Sequence, residues 1–236
     1  MGVVYALLRQ RHRYYRTLLI VEVMALLGLR GLQAVPQLVS LVYLLISGVG
    51  VLMDSPLLPQ NRLTPQLQSS PLSLRLRRRL DQVIQRRSWL KTGWLMAAGV
   101  ELLWQASLLM APTLAIQLSV IHLVVWLVLM LYMLWTLINA LAEEPIFSGA
   151  LLMGAAAGYL LIGFTGGMVL NSLLVLDPAA FSLRATASAL PIGIAHAPAT
   201  LGAAFGCLTT LGTTALNPRS LTGVSASAGI TIVGQL

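Results

Sequence analysis

The stretch LSVIHLVVWLVLMLYMLWTLI, Leu118 to Ile138, decides what kind of protein this is. It contains no Lys, Arg, Asp or Glu. As a helix it rises about 30 Å, the thickness of a bilayer's hydrocarbon core. A soluble domain would have to bury it on every face, and a chain with 9% charged residues has too little polar surface for that. The whole composition agrees. Hydrophobic residues make up 57% and mean hydropathy is +0.83, whereas soluble domains carry about 25% charged residues. The chain reads as an all-α transmembrane protein.

Working outward from that run, six apolar segments approach the roughly 20 residues a crossing needs. They cover residues 17–33, 35–53, 93–111, 114–138, 148–175 and 220–236, and the first two and the middle two form tight hairpins. The basic residues sort by topology. Arg9, Arg11, Arg13 and Arg16 precede the first run, and Arg62, Arg75, Arg77, Arg78, Arg79, Arg86, Arg87 and Lys91 lie between the second and third. The positive-inside bias places both segments in the cytoplasm. Six crossings then bring both termini to the cytoplasmic side and leave residues 176–219 outside, where only Arg184 and Arg219 are basic. Glu143 and Glu144 fall on the cytoplasmic side, where acidic residues weigh little. The net charge of +8 therefore describes orientation and gives no nucleic-acid surface. The membrane is a plasma membrane or a thylakoid.

This divides the chain into a basic N-terminus with the first helical hairpin (1–53), a cytoplasmic linker with a basic helix (54–92), a second hairpin (93–139) and a pore-like domain (140–236). The linker DSPLLPQNRLTPQLQSSP, broken by Pro56, Pro59, Pro65 and Pro71, reads as extended chain. After it Leu76, Leu80, Val83 and Ile84 recur at helical spacing beside Arg75, Arg78, Arg79 and Arg86. Two readings have equal weight here: a helix lying on an anionic inner leaflet, or a solvated loop that sets topology. The start, MGVVYALLRQRHRYYR, puts charges after a short apolar stretch, the reverse of a signal peptide, so the first helix is expected to stay as an anchor. Cys207 is the only cysteine, which excludes an internal disulfide and a multi-cysteine metal site.

Polar residues inside spans mark candidate sites, because the bilayer makes them costly. Glu22, Arg30, Glu101 and His122 are the four. Glu101 lies eleven residues before the turn at Pro112 and His122 ten after it, so an antiparallel hairpin sets them at one depth as an intramembrane polar pair. A helix-locking contact is favoured over a proton relay, since only Gln105, Gln117 and Ser119 lie near enough to extend a path. Arg30 can snorkel to the outer interface. The run from Leu114 to Ile138 has no Lys or Arg, which excludes the usual voltage sensor. Gly154, Gly158, Gly163 and Gly167 form two small-xxx-small patterns on the fifth helix, suited to close helix packing and open to the small-residue-rich sixth helix, SLTGVSASAGITIVGQL.

Between the last two spans, DPAAFSLRATASALPIGIAHAPATLGAAFGCLTTLGTTALNP is too polar to cross yet holds a helix-compatible stretch, Ala199 to Leu208. Such a segment suits a re-entrant hairpin between helices 5 and 6, since irregular backbone enters a bilayer only where protein or water covers it.

LDPAAFS (Leu176 to Ser182), LTTLG (Leu208 to Gly212), NPRSL and a terminal GQL occur in that order. This resembles the small bacterial, especially cyanobacterial, six-span proteins of the potassium-channel-like family, with their LDP-x-AFS, TLTTLGYGDITP and GQL landmarks. The resemblance spans about 90 residues and implies a two-helix pore module whose filter-like residues are Thr209, Thr210, Leu211, Gly212, Thr213 and Thr214. Thr210, Leu211 and Gly212 match the first three residues of a TVGYG-type filter. Thr213, Thr214 and Ala215 then replace the aromatic, the second Gly and the Asp, while Pro218 returns to the pattern. A β-branched residue forced to positive φ costs about 1–2 kcal/mol per subunit, which argues against a potassium-selective filter of ordinary geometry. Non-selective cyclic-nucleotide-gated channels carry a similar TIGET filter but keep an acid where this chain has Thr213. The last helix, 220–236, is also short for an inner helix with a gate.

No catalytic arrangement appears, so an enzyme is not expected. Two functions compete. One is a cation pore with altered, non-selective or lost conduction, built as a homotetramer, with no cofactor beyond a monovalent cation at the filter. The other is a non-conducting accessory subunit bound to unrelated membrane subunits, photosynthetic if the source is cyanobacterial.

Overall fold

The computed structural model describes residues 2–52, 71–142, 149–183, 192–211 and 216–235. It is all-α apart from one two-stranded ribbon. Helix α1 (Gly2–Leu27) and the short α2 (Leu29–Ala34) lead to α3 (Leu38–Leu52). Helices α4 (Pro71–Met110), α5 (Pro112–Ala142) and α6 (Gly149–Leu176) follow. A 3-10 turn (Pro178–Ala180) and strand β1 (Phe181–Leu183) precede α7 (Ile192–Ala195), α8 (Ala197–Leu208), strand β2 (Leu216–Pro218) and α9 (Leu221–Gln235).

Proline sets the boundaries. Val35, just before Pro36, takes φ −133° and ψ 76°, outside the helical region that a residue preceding proline disfavours, and α2 stops there. Ala111 separates α4 from α5 for the same reason, and Pro112 then occupies the first helical position, where its missing N–H is not needed. Asp177 accepts a 3.2 Å hydrogen bond from the Ala179 N–H and caps the turn beyond α6.

The sequence separates the basic stretch near 74–84 from a span beginning at 93, but the structure runs both into one helix, α4, of 40 residues. No proline lies between Leu72 and Met110 to stop it. Among the described residues, three segments are long and apolar enough to cross a membrane: Trp89–Met110, Thr113–Ala142 and Gly149–Leu176. Leu38–Val49 and Ala197–Leu208 are shorter apolar helices. At 15 residues each, α3 and α9 rise about 22 Å, less than a hydrocarbon core of about 30 Å.

The core is mainly apolar, but several polar side chains are buried and many large apolar ones face outward. Glu22, Ser40, Ser47, Glu101, Ser119, His122, Thr165, Asn171 and Thr200 are buried, while Leu102, Leu103, Leu109, Met110 and Trp135 are exposed. A surface of that kind is stable against lipid. This supports an integral membrane protein.

Contacts fix the helix directions. Ser40 meets Glu101 while Gly48 lies under Trp94, so α3 and α4 are antiparallel. Gly154 meets Leu141 and Gly158 meets Leu137, so α5 and α6 are antiparallel too. Gly163 faces Phe205, Gly167 faces Leu201 and Val175 faces Gly193, which lays α8 and α7 antiparallel along α6 in steps of four residues. Strands β1 and β2 pair antiparallel, Phe181 opposite Pro218 and Leu183 opposite Leu216. The Ala180 carbonyl accepts from the Arg219 and Ser220 N–H groups, which ties the start of α9 to the end of α6.

The glycines divide their work. Gly154 and Gly158 receive side chains from α5, with Tyr15 of α1 also against Gly154, whereas Gly163 and Gly167 receive Phe205 and Leu201 of α8. A Cβ on Gly163 would run into the Phe205 ring, and one on Gly167 would sit 3.0 Å from the Leu201 Cα. Helix α9 meets α6 at Gly166, where Ile230 packs.

Candidate functional site: a buried polar cluster and the end of helix α8

The structure brings Glu101 and His122 together. His122 Nε2 lies 2.6 Å from Glu101 Oε2, with both side chains buried. With Glu101 ionised, the carboxylate can only accept and Nε2 is the donor in this contact. Trp126 Nε1 is 3.1 Å from both Glu101 Oε2 and His122 Nε2; in that protonation state its N–H goes to the carboxylate.

The other carboxylate oxygen is equally well served. Ser40 Oγ–H donates to Glu101 Oε1 at 2.6 Å and Gln105 Nε2 donates at 2.9 Å. An ionised carboxylate has about four acceptor sites, and four donors from α3, α4 and α5 fill them. Trp104 stacks on the His122 ring, centroids 4.2 Å apart and planes 9° from parallel, and its Nε1 donates to Ser119 Oγ at 3.3 Å. Helical spacing sets most of these positions: Gln105 follows Glu101 by four residues, and Trp126 follows His122 by four. Charge-assisted bonds of this length are the strong ones, so the cluster fixes the register of three helices.

The other two ionisable groups that the sequence singles out, Glu22 and Arg30, stand apart from it. Glu22 is fully buried on α1, and neither carboxylate oxygen has a hydrogen-bond partner among the described residues. Arg30 is exposed on α2.

The second region is the end of α8. Thr209, Thr210 and Leu211 follow it at the surface, while Gly212, Thr213 and Thr214, with Ala215, lie outside the described residues. Thr210 has φ 60°, a left-handed conformation that costs a β-branched residue about 1–2 kcal/mol. It closes the helix: the Thr210 N–H donates to the Cys207 carbonyl and the Thr209 N–H to that of Phe205. Thr209 Oγ1 also donates to Phe205, at 2.7 Å, and the Tyr159 hydroxyl reaches from α6 to the Leu208 carbonyl at 3.1 Å. Gly234 of α9 packs on that same carbonyl, where a Cβ would approach to 2.6 Å.

The sequence points to Glu101 and His122 but not to Ser40, Trp104, Trp126 or Asn171. The two tryptophans are readable as residues at helical spacing near the pair; Ser40 and Asn171 come from distant segments. No group of three metal-ligating side chains occurs among the described residues. Compared with protein-family models, curated proteins and solved structures, the chain matches none.

Proposed function

We propose that the chain is a six-span subunit of a potassium-channel-like pore, in which residues 192–218 form a re-entrant segment and several copies, four in the simplest case, surround a low-selectivity cation path. The carrying observation is the placement of α8 between α6 and α9. Through Gly167–Leu201 and Gly163–Phe205, α8 runs back along α6 away from its end, reaching the level of Tyr159 and Gly234. The chain then reappears at β2, paired with β1 immediately beyond α6. An outer helix, a short helix entering from one end and a returning inner helix are the parts of a two-helix pore module.

The electrostatics favour a cation. The C-terminal end of a helix carries a partial negative charge, and α8 is 12 residues long with Thr209 to Leu211 exposed at that end. This supplies a weak cation-attracting field, since Tyr159 and Thr210 already donate to the Leu208 and Cys207 carbonyls, where the acid of the filters it resembles is missing. The Glu101 cluster, in this reading, is the lock that holds the supporting helices in register.

A second reading, a non-conducting accessory subunit, is favoured by a groove of about 790 Å³ between α1, α2, α3 and Trp94, lined by apolar residues such as Ile20, Met24, Leu38 and Leu45. It suits a helix of another chain.

Reconstitution of the purified chain in liposomes, with flux read separately for potassium and sodium, distinguishes the readings. Comparable flux of both ions is expected. No flux from correctly assembled protein would reject conduction and leave the accessory reading.

A further inference from the structure

Beside the Glu101 cluster, where α6 and α7 meet α3 and α5, lies a cavity of about 40 Å³ lined by Ser40, Tyr43, His122, Asn171 and Gly193 among others. A single water needs about 10–15 Å³ of such space, so the cavity has room for about three molecules of that size. Wholly apolar cavities stay dry; this one is apolar over most of its wall, with hydroxyl, amide and imidazole groups at a few points. Asn171 is 7% exposed, and its Oδ1 is buried without a hydrogen-bond partner among the described residues. An acceptor in that state carries its full desolvation penalty unless a donor reaches it. Tyr43 has capacity to help, since its bond to the Phe164 carbonyl is long at 3.4 Å.

We propose that this cavity is a binding site for one water-sized hydrogen-bond donor, water or ammonium, that donates to Asn171 Oδ1 and bridges it to the polar wall formed by Ser40, Tyr43 and His122. The bound molecule links α6 and the start of the α7–α8 segment to the Glu101 cluster. For ammonium, the ring faces of Tyr43 and Trp126, which also line the space, add attraction. The site does not depend on whether the chain conducts.

The test is thermal melting of the full chain in detergent, wild type against Asn171→Leu, in potassium chloride and in ammonium chloride at equal ionic strength. Leu shares the branched outline of Asn but cannot accept. With a donor bound, the variant melts lower by about 2–4 °C, the loss of one buried hydrogen bond in a chain of this length. With a dry cavity, the change removes an orphaned acceptor and the variant melts at the same temperature or higher, which overturns the proposal. A wild-type melting temperature that rises in ammonium, with no rise in the variant, assigns ammonium; equal values in both salts assign water. Should Asn171→Leu not fold, a density map that resolves waters decides it: a peak within hydrogen-bond distance of Asn171 Oδ1 supports the site, and empty density refutes it.

Discussion

Replacing Glu101 by Gln tests how much of the bundle depends on the cluster. Gln keeps the size and one acceptor oxygen but turns the other into a donor. On the His122 and Trp126 side two N–H donors approach Oε2; on the other side Ser40 and Gln105 approach Oε1. Ser40 can reorient, because the Gln37 carbonyl lies 3.0 Å from its Oγ. In the Glu101→Gln variant the new amide nitrogen therefore settles on the Ser40 side and the remaining oxygen stays with His122 and Trp126. What is lost is the charge assistance of the bonds that remain and the bond from Gln105. A hydrogen bond to a charged group contributes about 1.5–3 kcal/mol, and a neutral one about 1 kcal/mol. The predicted loss is about 2–4 kcal/mol, a fall in melting temperature of roughly 5–15 °C for a chain of this length. Glu101→Leu, which takes the carboxylate from all four donors and leaves Gln105 only Ser40 Oγ at 3.3 Å and Trp126 only His122 Nε2 at 3.1 Å, is expected to cost more, about 3–5 kcal/mol. Melting in detergent, followed by circular dichroism and repeated with His122→Leu and the double variant, gives the coupling between the pair. A Glu101→Gln protein that melts within about 2 °C of wild type, the effect of an ordinary surface change, would refute the cluster as a register lock.

Other predictions concern the glycines and the filter-like loop. Gly167→Ala places a Cβ 2.7 Å from Leu201 Cδ1 and 3.0 Å from its Cα, so it should destabilise by about 1–3 kcal/mol, whereas Gly99→Ala, which meets nothing within 4 Å, should be neutral or stabilising by up to about 1 kcal/mol. Equal melting temperatures for the two would contradict the close α6–α8 contact. The triple change Thr213→Tyr, Thr214→Gly and Ala215→Asp should confer potassium-selective flux in liposomes if only the filter departs from the pore pattern; unchanged flux would reject that account.

Much of the membrane character is legible because it rests on composition and on run length, as in Leu118 to Ile138. The depth match of Glu101 and His122 is legible because both count from one proline turn. Ser40 is not, because between α1 and α3 the chain breaks at Gly28, forms α2 and turns again at Pro36, so residue counting from α1 gives no depth. Asn171 is hidden for a related reason: its place on the same cavity as His122 depends on the α5–α6 packing, across a connection the sequence does not size. The glycine patterns signal close packing but not the partner. Small residues say only that something approaches, and here Phe205 and Leu201 approach from α8 while α9 sits on Gly166. The continuity of α4 is legible in principle, since no proline interrupts it; the change from basic to apolar character suggests two elements where the backbone makes one.

The reading of a shared pore is tested most directly by the native mass of the protein extracted in mild detergent from its own membrane. The account predicts a homo-oligomer, fourfold the chain mass of 25.3 kDa. A single copy, alone or bound to unrelated subunits, would contradict it and make the loop after α8 part of an accessory protein.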